Sequence, residues 1–138
     1  MVLRDEEGQV IFAACRNLMD CMDAMEAETL ACHEGLQMAL EWSDKPILVE
    51  LDCSCLVDAI RKKAQDRSPQ SYYISEIKAL INCRRVISFV KADHTQNRAS
   101  HGLANFARAE ERSATWQGSA PEFLVQVLDH DRHVTPIE

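Results

Sequence analysis

The sequence has few of the residues that mark fibrous, disordered or membrane-spanning chains. Its 138 residues include only four glycines and four prolines, too few for a collagen-like or low-complexity chain. No apolar run approaches the roughly 20 residues that a transmembrane helix needs, and no apolar stretch follows a basic head at the start, which argues against a secretory signal. With 46% hydrophobic and 27% charged residues, we expect one intracellular globular domain, in the nucleus or the cytoplasm.

The cysteines lack the spacing of a disulfide framework or of a zinc site. Six are present, but none forms a Cys-x-x-Cys pair, and without a secretory signal a disulfide framework has little support. A zinc site of Cys32, His33, Cys53 and Cys55 is an alternative, yet buried thiols more often behave as small hydrophobic side chains. We therefore expect reduced cysteines that fill the core.

Charge is divided unevenly along the chain. The net charge of −7 argues by itself against a polyanionic partner. Residues 1–60, however, carry three basic and 13 acidic groups, whereas residues 61–112 carry 11 basic and five acidic groups. An acidic half beside a basic segment is compatible with a carboxylate metal site next to a phosphate-binding surface, although solvated helix faces give the same pattern.

The first half of the chain predicts two strands, a helix and a third strand. Residues 2–5 and 10–16 flank a turn that contains Gly8, which predicts a hairpin. Residues 23–42 repeat apolar side chains at three- and four-residue steps, as an amphipathic helix does. Residues 47–52 form a short β-branched run after a proline and predict a strand.

The second half continues the α/β pattern. Ser54 is a possible N-cap of a helix that extends to residue 64. A second helix follows, and residues 85–90 predict another strand. Residues 96–112 predict a helix with one apolar face. We expect residues 113–138 to form a linker and a short C-terminal helix docked on the domain.

Two carboxylates occupy positions suited to a metal ion. Glu28 lies near the start of the first helix, and Asp52 lies at the end of the strand that follows it. Ligands of open α/β sheets bind outside the strand ends, and Mg²⁺ takes few protein carboxylates and completes its shell with water and substrate oxygens. Spacing alone leaves an alternative open, in which Glu28 interacts with the helix dipole and Asp52 caps the strand end.

Four local motifs carry a resemblance to a known family. They are Ala-Glu-Thr-Leu-Ala at residues 27–31, Trp42 at the end of that helix, Val-Glu-Leu-Asp-Cys-Ser at residues 49–54, and Asn-Arg-Ala-Ser-His-Gly-Leu-Ala at residues 97–104. Together and in this order they resemble the ribonuclease H-like domain of the plant reverse-transcriptase-like, retroelement-derived family. The resemblance extends from about residue 2 to residue 108.

This resemblance implies a fold and an activity. The fold is a mixed sheet with helices on both faces, which here would span residues 1–112. The activity is endonucleolytic hydrolysis of the RNA strand of an RNA–DNA hybrid, with Mg²⁺ or Mn²⁺ held by four carboxylates. Glu28 matches the second of these carboxylates, and Asp52 matches the third.

The sequence departs from the family at the other two carboxylates. The first belongs to the family's first, central strand, which would lie upstream of Met1, so we expect an N-terminally truncated domain that lacks this strand. The fourth falls on His101, and an imidazole is a poorer ligand of Mg²⁺ than a carboxylate oxygen. We therefore expect impaired catalysis, and a helix histidine without a ligand role remains the alternative for His101.

The resemblance also implies a proton carrier and a nucleic-acid surface. His94 precedes the last helix of the domain, where the family has a mobile loop with a histidine, and it is our candidate for proton transfer. The start of the helix at Ser54 offers backbone N–H groups to a phosphate. The predicted nucleic-acid-binding residues are Ser54, Arg61, Lys62, Lys63, Lys91, Asn97 and Arg98.

Two other interpretations remain open from the sequence. One is a catalytically inactive module that binds hybrid or double-stranded RNA through its basic segment, reading shape and 2′-hydroxyls and not bases. The other is a truncated relic that needs a strand from a partner to fold, because backbone groups beside a missing strand lose their hydrogen bonds.

Overall fold

The computed structural model describes residues 1–18, 23–82, 85–93 and 97–133. In chain order the elements are β1 (Val2–Arg4), β2 (Val10–Cys15), α1 (Ala24–Trp42), β3 (Ile47–Leu51), α2 (Ser54–Arg61), α3 (Ser71–Ile81), β4 (Ile87–Lys91), α4 (Arg98–Glu110), β5 (Ala114–Gln117) and α5 (Glu122–His133). The strands form one sheet in the order β1-β2-β5 and a second sheet of β3 and β4. The predicted α/β class is confirmed, with the described strands divided between two sheets.

One compact unit combines Met1–Asn17 with His94–Glu138. In it β2 pairs antiparallel with both β1 and β5, and α4 packs on β2 and on α5. The apolar face of α4 and the inward side chains of β2 form its core, because apolar residues at three- and four-residue steps of a helix share one face. This core contains Ala13, Cys15, Ala99, Leu103, Ala107, Leu124 and Leu128.

The hairpin of this unit forms where the sequence predicts it. Gly8 adopts φ 78°, a conformation that glycine reaches without steric cost. The Asp5 carboxylate accepts hydrogen bonds from the backbone amides of Glu7 at 2.9 Å and of Gln9 at 2.8 Å. These bonds satisfy the backbone amides of the turn and stabilise the reversal of the chain between β1 and β2.

The second compact unit is Leu18–Asp93. Its strands β3 and β4 are parallel, and parallel neighbours need a crossover connection, which α2 and α3 provide. Helix α1 packs on α2, α3 and β3. The buried side chains at the centre of this unit are Cys32, Leu36, Ala39, Ile47, Leu51, Leu56, Val57, Ile60, Ile74 and Ile77.

The ends of α2 differ from the prediction. Ser54 was expected to cap this helix, but Cys53 is the N-cap, because it has extended backbone angles and its carbonyl accepts the Val57 amide at 3.2 Å. Lys62 then leaves the helical conformation, with φ −64° and ψ 133°. Its carbonyl accepts a hydrogen bond from Lys78 Nζ at 2.8 Å, so the helix ends at Arg61 and does not reach residue 64.

Helices α4 and α5 approach closely at Gly102. A Cβ atom at this glycine would lie 2.7 Å from Cδ2 of Leu124, and Leu124 is only 1% exposed. The buried leucine has little room to move, since protein interiors are close-packed. The absence of a side chain at Gly102 therefore sets the distance between the two helices.

Replacing Gly102 with Ala is expected to destabilise the chain by about 1 kcal/mol. Alanine favours a helix over glycine by about 1 kcal/mol, but displacing a buried side chain costs about 1–3 kcal/mol. Urea unfolding measures the net effect. In a Leu124→Ala background the same substitution is expected to stabilise the chain. If Gly102→Ala is more stable than the wild type while Leu124 is present, this packing is contradicted.

Candidate functional site

A sulfur contact joins the start of α1 to the end of β3. The Cys53 thiol donates to the Met25 thioether with Sγ and Sδ 3.6 Å apart. Glu28 lies one helical turn after Met25, on the same side of α1, and Asp52 directly precedes Cys53. The contact therefore brings together the two backbone segments that carry the predicted carboxylates.

The N-terminal turn of α1 is fixed by hydrogen bonds around this contact. Asp23 is the N-cap, and its Oδ1 accepts from the Glu26 amide at 2.8 Å, as favoured N-cap residues do. The fully buried Thr29 hydroxyl donates to the Met25 carbonyl at 2.7 Å. These two hydrogen bonds hold the backbone at the start of α1, which carries Glu28. The Glu28 side chain is half-buried.

Glu28 also affects a buried thiol one turn further along α1. Burial, with a smaller contribution from the negative charge of Glu28, raises the pKa of Cys32 from its ordinary value of 9.0 to about 12. Without a metal, Cys32 is therefore a neutral thiol over a wider pH range than an exposed cysteine. Its burial, with only 5% of its surface exposed, agrees with the expectation that this cysteine fills the core.

Asp52 follows the carboxyl end of β3 and is half-buried. In α/β sheets this end of a parallel strand is where ligands bind. Ser54, two residues later, is the first residue of α2 and is exposed. The start of this helix is therefore two residues after Asp52 in the chain.

The basic residues of the second unit lie on its surface. Lys62, Lys63 and Lys91 are exposed. Arg61 is exposed too, but its Nη2 donates to the Phe89 carbonyl at 2.8 Å, so this guanidinium has a structural partner on β4. All four residues belong to the unit that contains the two carboxylates.

The remaining predicted residues belong to the first unit or lie outside the description. Asn97 is the half-buried N-cap of α4, without a side-chain capping bond, and Arg98 is exposed. His101 is exposed, and its amide donates to the Asn97 carbonyl at 3.1 Å. The ligand role of His101 remains a prediction. His94 lies outside the described residues.

Comparison with protein families decides the classification. A family model described as reverse transcriptase-like matches residues 1–107. The chain belongs to the reverse transcriptase-like family. Curated proteins and solved structures gave no significant match. Membership makes this a ribonuclease H-like domain and implies a nucleic-acid partner. In the described ranges no helix is both long and apolar enough to cross a membrane.

Glu28 and Asp52 carry carboxylate oxygens, the donor type that a hard divalent cation prefers. Within the described part of the chain no three His, Cys, Asp or Glu side chains form a ready metal cage. An ion held by Glu28 and Asp52 would need water and substrate oxygens as its other ligands, and this role of the two carboxylates remains a prediction. Mg²⁺ is bound in this way in enzymes that act on phosphates.

Sequence reasoning missed two residues that organise the site. Met25 has no motif that announces its contact with Cys53, because the contact depends on the packing of α1 against the end of β3. Lys78 stands out only as a basic residue of α3, yet its Nζ donates to the carbonyls of Lys62 and Ala64 at 2.8 and 3.3 Å. It thereby fixes the backbone of the exposed Lys62–Lys63 segment.

Proposed function

We propose that this domain binds RNA–DNA hybrid and hydrolyses its RNA strand, at a reduced rate, with Mg²⁺ or Mn²⁺ held by Glu28 and Asp52. The contact between Met25 and Cys53 carries this proposal, because it joins the segments that bear the two carboxylates. Membership of the reverse transcriptase-like family supports the substrate class. The half-burial of both carboxylates supports ion binding, since partial desolvation strengthens their attraction for a cation.

The two carboxylates would hold the ion from different elements. A bound divalent ion supplies an activated water and stabilises the leaving oxygen in phosphodiester hydrolysis. Glu28 and Asp52 would hold the ion, and the packed sulfur atoms of Met25 and Cys53 restrain the two segments that carry them. Two carboxylates leave less negative charge than the family's four, and this is the physical reason for the reduced rate.

Substrate binding would depend on phosphate contacts. The first amides of a helix have no acceptor within the helix, so the start of α2 at the exposed Ser54 is suited to a phosphate oxygen. Exposed Lys62, Lys63 and Lys91 supply positive charge in the same unit. Such contacts position a nucleic acid without reading its bases. The roles of His94 as proton carrier and of His101 as fourth-position residue remain predictions from the family resemblance.

A cleavage assay with labelled hybrid tests the proposal. The wild-type chain is expected to cut the RNA strand with Mg²⁺ or Mn²⁺ and to stop when EDTA removes the metal. Glu28→Gln removes one ligand charge at nearly constant shape and is expected to lower the rate at least about 100-fold, because residues that only support metal ligands already change activity or affinity by about 10–100-fold. Glu41→Gln is the matched control, because Glu41 is exposed at the other end of α1.

The proposed site is wrong if Glu28→Gln cleaves as fast as Glu41→Gln. Tight hybrid binding without cleavage in the wild-type chain would favour the inactive binding module. Cleavage of single-stranded RNA at the same rate as hybrid would contradict the proposed substrate class.

Hybrid binding is expected to weaken steeply with salt. Each phosphate contact contributes about −0.9 to the slope of log K against log salt concentration. Lys62→Ala/Lys63→Ala is therefore expected to make the slope shallower by about 2. Lys45→Ala, in the exposed loop before β3, serves as the control and should leave it unchanged. Fluorescence anisotropy of labelled hybrid at several salt concentrations gives both slopes.

A further inference from the structure

Most of the connection between α2 and α3 has no apolar anchor. The structure describes all of residues 62–69, and none of them is buried. Their sequence, Lys-Lys-Ala-Gln-Asp-Arg-Ser-Pro, carries three positive charges and one negative charge. Fixing a loop costs conformational entropy, and here core packing does not offset that cost. The order of this segment therefore depends on polar contacts.

Lys78 of α3 holds the first part of this segment. Its Nζ donates to the carbonyls of Lys62 and Ala64 at 2.8 and 3.3 Å, so two of the three ammonium N–H groups are directed at the backbone. The Lys62 amide completes the last turn of α2 by donating to the Asp58 carbonyl at 3.0 Å. One side chain therefore ties the end of α2 and the start of the loop to α3.

Asp66 and Ser68 hold the second part of the segment. The Asp66 carboxylate accepts hydrogen bonds from the Ser68 amide, at 2.7 Å, and from the Ser68 hydroxyl, which is a local turn contact. These bonds, with smaller effects of the positive charges of Lys78 and Lys62, hold the pKa of Asp66 below its ordinary value. The Ser68 carbonyl accepts the Ser71 amide at 3.0 Å, where α3 begins. The segment is thus held at both ends.

We propose that Lys78 is a positioning residue of the nucleic-acid surface, which fixes the loop so that exposed Lys62, Lys63 and Arg67 meet backbone phosphates in an order that already exists. This inference rests on the proposed binding of RNA–DNA hybrid and adds Arg67 to its contacts. Ordering flexible residues at an interface lowers the affinity by a factor of about 2–12 for each side chain, and a loop that is fixed in advance avoids this loss. Lys78 acts through the backbone and contacts no phosphate.

Amide hydrogen exchange on the chain without nucleic acid tests the positioning role directly. Lys78→Met keeps a long side chain but removes the ammonium group. Exchange at the Lys62 amide is expected to quicken at least about tenfold, because a hydrogen bond to a charged group contributes about this factor or more to an equilibrium constant. Exchange at fully buried Ile77 should stay unchanged, which separates a local effect from a general loss of stability.

Two further variants complete the exchange experiment. Lys78→Arg keeps the charge and the donors, and should restore slow exchange at Lys62. Lys45→Met is the matched control, because it removes the same charge from the exposed loop before β3 in the same unit. Equal exchange at Lys62 in Lys78→Met and Lys45→Met would overturn the proposal.

Hybrid binding connects this positioning to function. Fluorescence anisotropy is expected to give a Kd at least about fourfold higher in Lys78→Met than in Lys45→Met, a factor of about two for each of Lys62 and Lys63, whereas Lys78→Arg should bind as the wild type does. The slope of log K against log salt concentration should not change in Lys78→Met. In Arg67→Ala it should become shallower by about 0.9, the contribution of one phosphate contact.

Each contrary result has a distinct meaning. A slope that is shallower by about 0.9 in Lys78→Met would make Lys78 a phosphate contact itself and would overturn the positioning role. Equal affinity of Lys78→Met and Lys45→Met, or weak binding of Lys78→Arg, would overturn the inference while the proposed function stands. If the wild-type chain does not bind hybrid, the proposed function is wrong and this inference is wrong with it.

Discussion

Replacing Asp52 with Asn is expected to lower the rate of hybrid hydrolysis at least about 100-fold. The substitution keeps the shape of the side chain and removes one of the two carboxylate charges proposed to hold the metal. Residues that merely support metal ligands change activity or affinity by about 10–100-fold, and a ligand itself should exceed that range. Initial rates at saturating Mg²⁺ and at saturating Mn²⁺ measure the effect.

Asp58→Asn is the matched control for this experiment. Asp58 lies in α2, six residues after Asp52, and is exposed, so its substitution should leave the rate unchanged. Metal binding gives a second readout: Mg²⁺ should raise the melting temperature of the wild-type chain and of Asp58→Asn, because a ligand that binds the folded state stabilises it. If Mg²⁺ stabilises Asp52→Asn equally, Asp52 is not a ligand.

The sequence could predict where the two carboxylates lie along their elements. The apolar period of residues 23–42 predicts α1 with Glu28 near its start, and the β-branched run after Pro46 predicts a strand that ends at Asp52, one residue beyond the observed end of β3. The structure has both elements at these positions. The contact between Met25 and Cys53 could not be predicted, because it depends on tertiary packing between elements that are 28 residues apart in the chain.

The strand β5 was missed because it is short. Ala114 and Trp116 are half-buried and alternate with exposed Thr115 and Gln117, which is the period of a strand with one buried face. Four residues are too few to distinguish this period from chance in a segment expected to be a linker. The strand forms because it pairs with the edge of β2 that lies opposite β1. Trp116 on this strand packs edge-on against Phe106, with ring centroids 5.7 Å apart.

The hydrophobic pattern of the sequence also could not predict which strands pair with each other. Residues 47–52 predict a strand, but a hydrophobic pattern does not indicate which edge of that strand pairs. Hydrogen bonds from Arg61 to β4 and from Lys78 to the end of α2 use residues that the sequence presents only as positive charge. Arg61, one of the basic residues predicted to bind nucleic acid, therefore also has a structural role.

The stability of the chain is expected to fall between about pH 9 and pH 12 because of Cys32. Burial first, and Glu28 second, raise the pKa of this thiol from 9.0 to about 12. In this window the unfolded chain loses the proton while the folded chain retains it. The contribution is therefore complete below pH 9 and is lost as the pH rises, at about 1.4 kcal/mol per pH unit for a single group.

Urea unfolding of the wild type and of Cys32→Ala at pH 8, 9 and 10 separates this effect from other titrations. Removing a buried side chain is expected to lower the stability of Cys32→Ala at pH 8, but its stability should then decline less steeply, since every other group titrates in both chains. Equal slopes would mean that Cys32 ionises as freely in the folded state as in the unfolded state. Because Glu28 contributes to the shift, Glu28→Gln should leave the slope between pH 8 and 10 unchanged, but in unfolding followed up to pH 12 the loss of stability should end at a lower pH than in the wild type. This tests the position of that carboxylate beside Cys32 independently of any catalytic assay.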